Sequence, residues 1–194
     1  MADIIKALEA KPNEKIPAVR SGDNVSVHVK IKEGDRQAPE GFYTVDAEQL
    51  NPNSVMHRSF SLGFPNLYDQ AHGRTGSFLM VHGGCASVGC YAVTHPVVDE
   101  IWRLVTAALE KGQPLIAVHA FPFRMTERNV RLRRGSKWED FWSELKQGHD
   151  LFERSRIPPV VSVCEGHYVF EPGTMATANA PVEERCPPEV AGTP

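Results

Sequence analysis

"VHGGCASVGCYAVT", residues 81–94, packs a histidine, two cysteines, a serine and three glycines into one short stretch. It follows SFLMVH (77–82), an apolar run that reads as a strand, and leads into a segment with helical spacing that begins at Thr94. Three chemistries fit it. His82, Cys85, Cys90 and His95 form an H-x2-C-x4-C-x4-H series, and four N/S ligands are what tetrahedral Zn²⁺ takes, although the tight knuckle of structural zinc sites is missing. Cys85 and Cys90 also fit as small buried hydrophobes or a loop disulfide.

In the third reading Cys90 is a nucleophile. It stands before a helix start, where unpaired N–H groups favour a thiolate and an oxyanion. Gly89 lets the backbone approach a substrate, and His82 at the strand end is near enough to serve as general base. The second ring nitrogen of His82 needs an acceptor, and the backbone carbonyl of Gly83 or of a nearby residue can supply it.

Outward from this stretch, VSVHVKIK (25–32), GFYTVDA (41–47), RSFSLGF (58–64) and PLIAVHAF (114–121) read as strands. PNLYDQAHGRTG between the third strand and SFLMVH reads as a polar loop. DIIKALEA (3–10) reads as a short helix. A long helix follows Thr94 as N-cap, with Pro96 in its first turn, Asp99 and Glu100 toward its positive end, and Gly112 at its end. Thr126 caps a second helix and Ser136 a third, whose stripe Trp138, Phe141, Trp142 and Leu145 reads as core. VVSVCEGHYVF (160–170) reads as a hairpin turning at Glu165-Gly166. Residues 171–194 hold five prolines and no aromatic residue and read as a disordered tail, with Cys186 a bystander. Strands without regular βαβ alternation imply an α+β domain.

The 194 residues suit one domain with appendages. A 41% hydrophobic and 23% charged composition is that of a globular protein, and a net charge of −3 argues against a nucleic-acid partner. The Arg128, Arg131, Arg133, Arg134 cluster reads as a solvated helix face. No stretch approaches the ~20 apolar residues of a membrane span. The N-terminus lacks a signal-peptide pattern, so the chain as written reads as cytoplasmic. Four cysteines without a C-x2-C pair do not make a disulfide scaffold.

MVHGGCASVGCYAVT resembles the active-site segment of the YafK branch of the YkuD-type L,D-transpeptidases, in which a histidine-glycine pair precedes S-x-G-C. EGDRQAPEGFYTV, QLNPNSVMHRSFSLGFPNLYDQAHGRTGSF, FPFRMTERN and PPVVSVCEGHYVF extend the resemblance over about residues 33–170. It implies a YkuD-like mixed β-sheet domain with flanking helices. It further implies Cys90 as nucleophile, His82 as base supported by the Gly83 backbone, an oxyanion hole at Gly89 and Cys90, and a pocket shaped by Ser87. The implied substrates are peptidoglycan stem peptides, cleaved after diaminopimelate through a thioester that passes to an amine or to water. A peptidoglycan-linked lipoprotein is an implied partner, the implied location is the periplasm or cell envelope, and no metal or cofactor is implied.

Stem peptides present carboxylates, which a guanidinium grips bidentately, so Arg74 and Arg124, both in loops, are expected to bind substrate. Tyr91, next to the nucleophile, is expected to line the pocket. A binding module without turnover, zinc-stabilised or peptidoglycan-binding, is the alternative. Residues 1–32 depart from the family and weakly resemble the start of a bacterial large-subunit ribosomal protein, so the domain is expected to lack the family's first strands.

Overall fold

The computed structural model describes residues 39–84 and 87–188. The expected N-terminal helix (3–10), the first strand with its His28, and Cys85 lie outside them.

Nine strands and four helices make an α+β domain with three sheets among the described residues. β1 (Gly41–Val45) pairs antiparallel with β6 (Ile116–Ala120). A mixed sheet runs β2 (Leu50–Asn51), β3 (Ser59–Ser61), β4 (Met80–Gly83), β5 (Tyr91–Val93), with only the β4–β5 pair parallel. The hairpin β7 (Val160–Cys164) and β8 (His167–Glu171) takes β9 (Glu183–Glu184) on its other edge. The helices are α1 (Leu67–Ala71), α2 (His95–Glu110), α3 (Glu127–Arg131) and α4 (Glu139–Ser155).

The period-2 alternation of GFYTV divides two cores. Tyr43 and Val45 join Phe60, Leu62, Val81, Val93, Val98 and Trp102 under α2, while Phe42 joins Tyr68, Phe141, Leu145, Val163 and Tyr168 under α4. Phe42 makes edge contacts with Phe121, Tyr168 and Phe170 at 4.9–5.7 Å. Gly148 of α4 lets these rings approach, because a Cβ there would collide with Phe42 and Phe170.

A buried carboxylate ties the cores together. Asp69 has no exposed surface. It accepts from the Tyr43 hydroxyl (3.0 Å), the Asn66 amide (3.1 Å) and Arg74 Nη1 (3.0 Å). Burial first and then the Asp69 charge push the Tyr43 phenol far above its ordinary range, so it remains a donor.

Several local expectations differ from the fold. The loop 65–76 contains α1, whose single turn is closed by reciprocal Asn66–Asp69 capping and held by the burial of Tyr68 and Asp69. Five residues give too little periodicity to detect. Thr94 does cap α2 by backbone position, but its side chain makes no capping bond, and Asp99 instead pairs with His57 Nε2 (2.9 Å) and Arg58 Nε (3.3 Å). α4 begins after Trp138, not Ser136, whose hydroxyl accepts from the Trp138 amide in the preceding turn. The hairpin turns where expected, with Glu165 at φ 50° and Gly166 at φ 80°, the pair of positive angles that a tight two-residue turn demands.

The tail needs the largest correction. Residues 172–188 are ordered: β9 pairs parallel with β7, Ala178 is buried, and Cys186 is disulfide-bonded to Cys164. Composition misleads here because the covalent link replaces the apolar burial that the segment lacks. Closing a loop of 22 residues stabilises by about 3 kcal/mol in the chain-entropy account.

Candidate active site

His82 sits on β4, only 5% exposed, and its Nδ1 lies 2.9 Å from the carbonyl oxygen of Gly83. A carbonyl only accepts, so Nδ1 carries the proton and the Nε2 lone pair is left for chemistry. Gly83 is fixed in turn by its amide, which donates to Arg58 O (3.1 Å). A Cβ at Gly83 would lie 2.9 Å from the His95 ring, 3.0 Å from Met56 O and 3.0 Å from Val98, so only glycine lets the strand end nest against α2.

Cys90 lies at the entrance to β5, half-buried and free. The expectation that it directly precedes a helix is corrected, because β5 intervenes and α2 starts at His95. Helix N–H groups therefore do not surround its sulfur. The thiol donates to Phe78 O at 3.3 Å. Ser87 Oγ donates to Cys90 O at 2.6 Å, closing the turn ahead of the strand. Gly89 has φ 98°, left-handed backbone that a side chain would strain.

The register places His82 beside the strand that Cys90 leads into. β4 and β5 run in parallel with His82 level with Ala92, and side chains two apart share a face. Cys90 precedes β5 by one residue, in a bend that follows the left-handed Gly89. Tyr91, level with Val81, faces the opposite way from His82. It packs on the core beneath α2, and its hydroxyl donates to Pro39 O at 2.6 Å.

A pocket of about 360 Å³ is lined by Pro39, which accepts from Tyr91, and among others by Glu40, Arg74, Leu79, Trp138 and Phe141. Leu79 follows the carbonyl that holds the thiol, and its Cδ2 lies 3.5 Å from a Cβ position on Gly89. Arg74 reaches the pocket but is engaged, bound to Asp69 and lying over Phe141 (4.7 Å) and Tyr68 (5.2 Å). Arg124 is exposed and does not line this pocket; its carbonyl accepts from Thr126 N and Asn129 Nδ2.

Trp138 was expected in the core with its stripe. Phe141 and Leu145 are buried, but Trp138, ahead of the first helical turn, keeps 36% of its surface exposed and walls the pocket. Helical periodicity cannot show that a stripe runs past the end of its helix. For the zinc reading, His95 stacks on His57 with ring centroids 4.7 Å apart, and Cys85 is outside the described residues.

A mixed-sheet α+β domain with flanking helices is the architecture that the resemblance implied. In comparison with known proteins the chain is similar to putative L,D-transpeptidases. It is 50% identical over 140 residues to "Putative L,D-transpeptidase YafK" of Escherichia coli strain K12, and equally to the protein of that name from Escherichia coli O157:H7. The match covers 72% of this chain and 57% of each relative, so the chain spans little more than half their length. The family Ribosomal protein L19 matches residues 3–57, which extends past residue 32 and into β1 and β2.

Proposed function

We propose that this chain is a cysteine-dependent L,D-transpeptidase acting on peptidoglycan stem peptides. The reading is supported by the buried His82 imidazole, its tautomer set by Gly83 O, on the strand beside the one that the free Cys90 leads into. As substrate enters, the Cys90 sulfur leaves Phe78 O and gives its proton to His82 Nε2. The sulfur then attacks the carbonyl of the diaminopimelate residue. The N–H groups of Gly89 and Cys90 hold the oxyanion. The C–N bond breaks as His82 protonates the departing amine, leaving a thioester on Cys90. An incoming amine, losing a proton to His82, displaces the sulfur, and the thiol is regenerated. Water in place of the amine gives hydrolysis.

Ser87 maintains the turn that presents Cys90, and the pocket beside Trp138 and Arg74 receives the stem peptide. Arg124 and Tyr91 are secondary candidates for substrate contact. A peptidoglycan-linked lipoprotein is a candidate for one side of the exchanged bond. A location in the periplasm or cell envelope follows from the substrate, and the Cys164–Cys186 disulfide supports an oxidising compartment. The chemistry calls on no cofactor.

The test is intact-mass spectrometry after incubation with a diaminopimelate-containing tetrapeptide stem, with and without a D-amino acid acceptor. An acyl adduct that maps to Cys90 and is released by the acceptor is expected, with both Cys90→Ala and His82→Ala forming none. Turnover that survives Cys90→Ala would overturn the reading.

A further inference from the structure

Ser59 is fully buried, and its hydroxyl is the one buried side-chain polar atom without a hydrogen-bond partner among the described residues. Buried hydroxyls are rarely left so, because an unmade hydrogen bond costs about 1–3 kcal/mol. Its position is not arbitrary. In the antiparallel β3–β4 pair Ser59 stands directly opposite His82. The bonds Gly83 N to Arg58 O and Leu62 N to Leu79 O, both 3.1 Å, mark the hydrogen-bonded positions of that ladder. Alternation makes Ser59–His82 a non-hydrogen-bonded pair, the kind whose Cα atoms approach to about 4.5 Å and whose side chains lie closest. An uncommitted hydroxyl thus stands directly across the ladder from the imidazole.

We infer that Ser59 is a positioning residue for His82, its oxygen turning to the ring when the imidazole takes the thiol proton. His82 Nδ1 is already committed to Gly83 O, so the charged ring gains a second stabilising dipole only from a neighbour held in reserve. A hydroxyl serves because it rotates without moving its backbone, and as a neutral group it leaves the uncharged ring undisturbed. The inference rests on His82 acting as the base for Cys90. The other titratable or charged residues on the segments around β4 are Cys90 and Tyr91 by β5, His95, Asp99, Glu100, Arg103 and Glu110 on α2, and His57 and Arg58 ahead of β3. A Ser59 substitution leaves all of them in place.

The test is the pH dependence of Cys90 alkylation by iodoacetamide, followed by peptide mapping, in the full chain and in His82→Ala, Ser59→Ala and Ser59→Thr, with a denaturation curve for each. Ser59→Ala is expected to slow labelling near pH 6.5 by about three- to tenfold, the worth of one hydrogen bond. Its rate at high pH should be unchanged and its stability equal or higher, since an unpaired polar group is removed. Ser59→Thr, which keeps the hydroxyl, should restore the low-pH rate. An unaltered pH profile in Ser59→Ala beside a slowed His82→Ala overturns the role of Ser59 alone. A His82→Ala profile like that of the parent overturns the base assignment and this inference with it. Should Ser59→Ala unfold, a Ser59→Thr profile matching the parent supports the hydroxyl's role, and one matching His82→Ala overturns it.

Discussion

The sulfur of Cys90 donates to the carbonyl oxygen of Phe78, 3.3 Å away, while the imidazole of His82 is anchored to Gly83 O on the neighbouring strand. Deprotonation then requires the sulfur to leave a partner as well as to find one. A serine hydroxyl binds a carbonyl more strongly than a thiol does. Cys90→Ser should therefore fold with stability equal to or up to about 1 kcal/mol above the parent, yet lose turnover. Urea denaturation and the adduct assay check the two halves separately.

Gly83→Ala should destabilise by about 1–3 kcal/mol, the usual cost of an added carbon in a filled site. His95, Val98 and Met56 O all occupy the space that the methyl would need. Because the same residue supplies the acceptor for His82 Nδ1, turnover should fall by more than the loss of folded protein explains. Activity per folded molecule, normalised by circular dichroism, reads this directly.

The two arginines expected to bind substrate should separate. Arg74→Met removes the cation from a carboxylate with no exposed surface, and should cost about 3–5 kcal/mol. Arg124→Met, on an exposed loop, should change stability by less than about 0.5 kcal/mol. A fall in turnover with unchanged melting for Arg124→Met would identify it as a true substrate contact.

His119 packs among Phe42 (4.8 Å), Phe152 (5.4 Å) and Phe121 (6.2 Å), and burial, aided by His149, lowers its pKa to about 4. The unfolded chain binds this proton near pH 6.5 and the folded one does not, so stability is full above pH 6.5 and falls as pH drops toward 4. The loss should be on the order of 3 kcal/mol and level off below that window. His119→Leu should flatten it, as measured by denaturant midpoints at successive pH values.

The long amphipathic α2, the apolar β6 and the Glu165-Gly166 hairpin are legible in the chain because each repeats a pattern or demands positive φ. His82, Gly83, Gly89 and Cys90 stand out because three glycines and a strand-end histidine are more than a turn requires. β5 is not legible: three residues carry no period, and missing it moved Cys90 to a helix start it does not occupy. Cys186 and Cys164 are 22 residues apart on segments of different composition, and only the fold brings them together. Ser59 looks like any polar residue of an alternating strand. Its significance lies in register, which depends on the partner strand.

The hairpin β7–β8 would by itself present the far side of β7 as a row of unpaired backbone groups, and such a row templates the addition of a strand from another molecule. Glu183 and Glu184 occupy that row, two like charges locked in place by the Cys164–Cys186 link. The C-terminal segment is in this sense a guard against self-association. A chain cut after Glu171 would bare both the edge and an unpaired Cys164, and its failure would be seen as disulfide-linked aggregates before it was seen as lost catalysis.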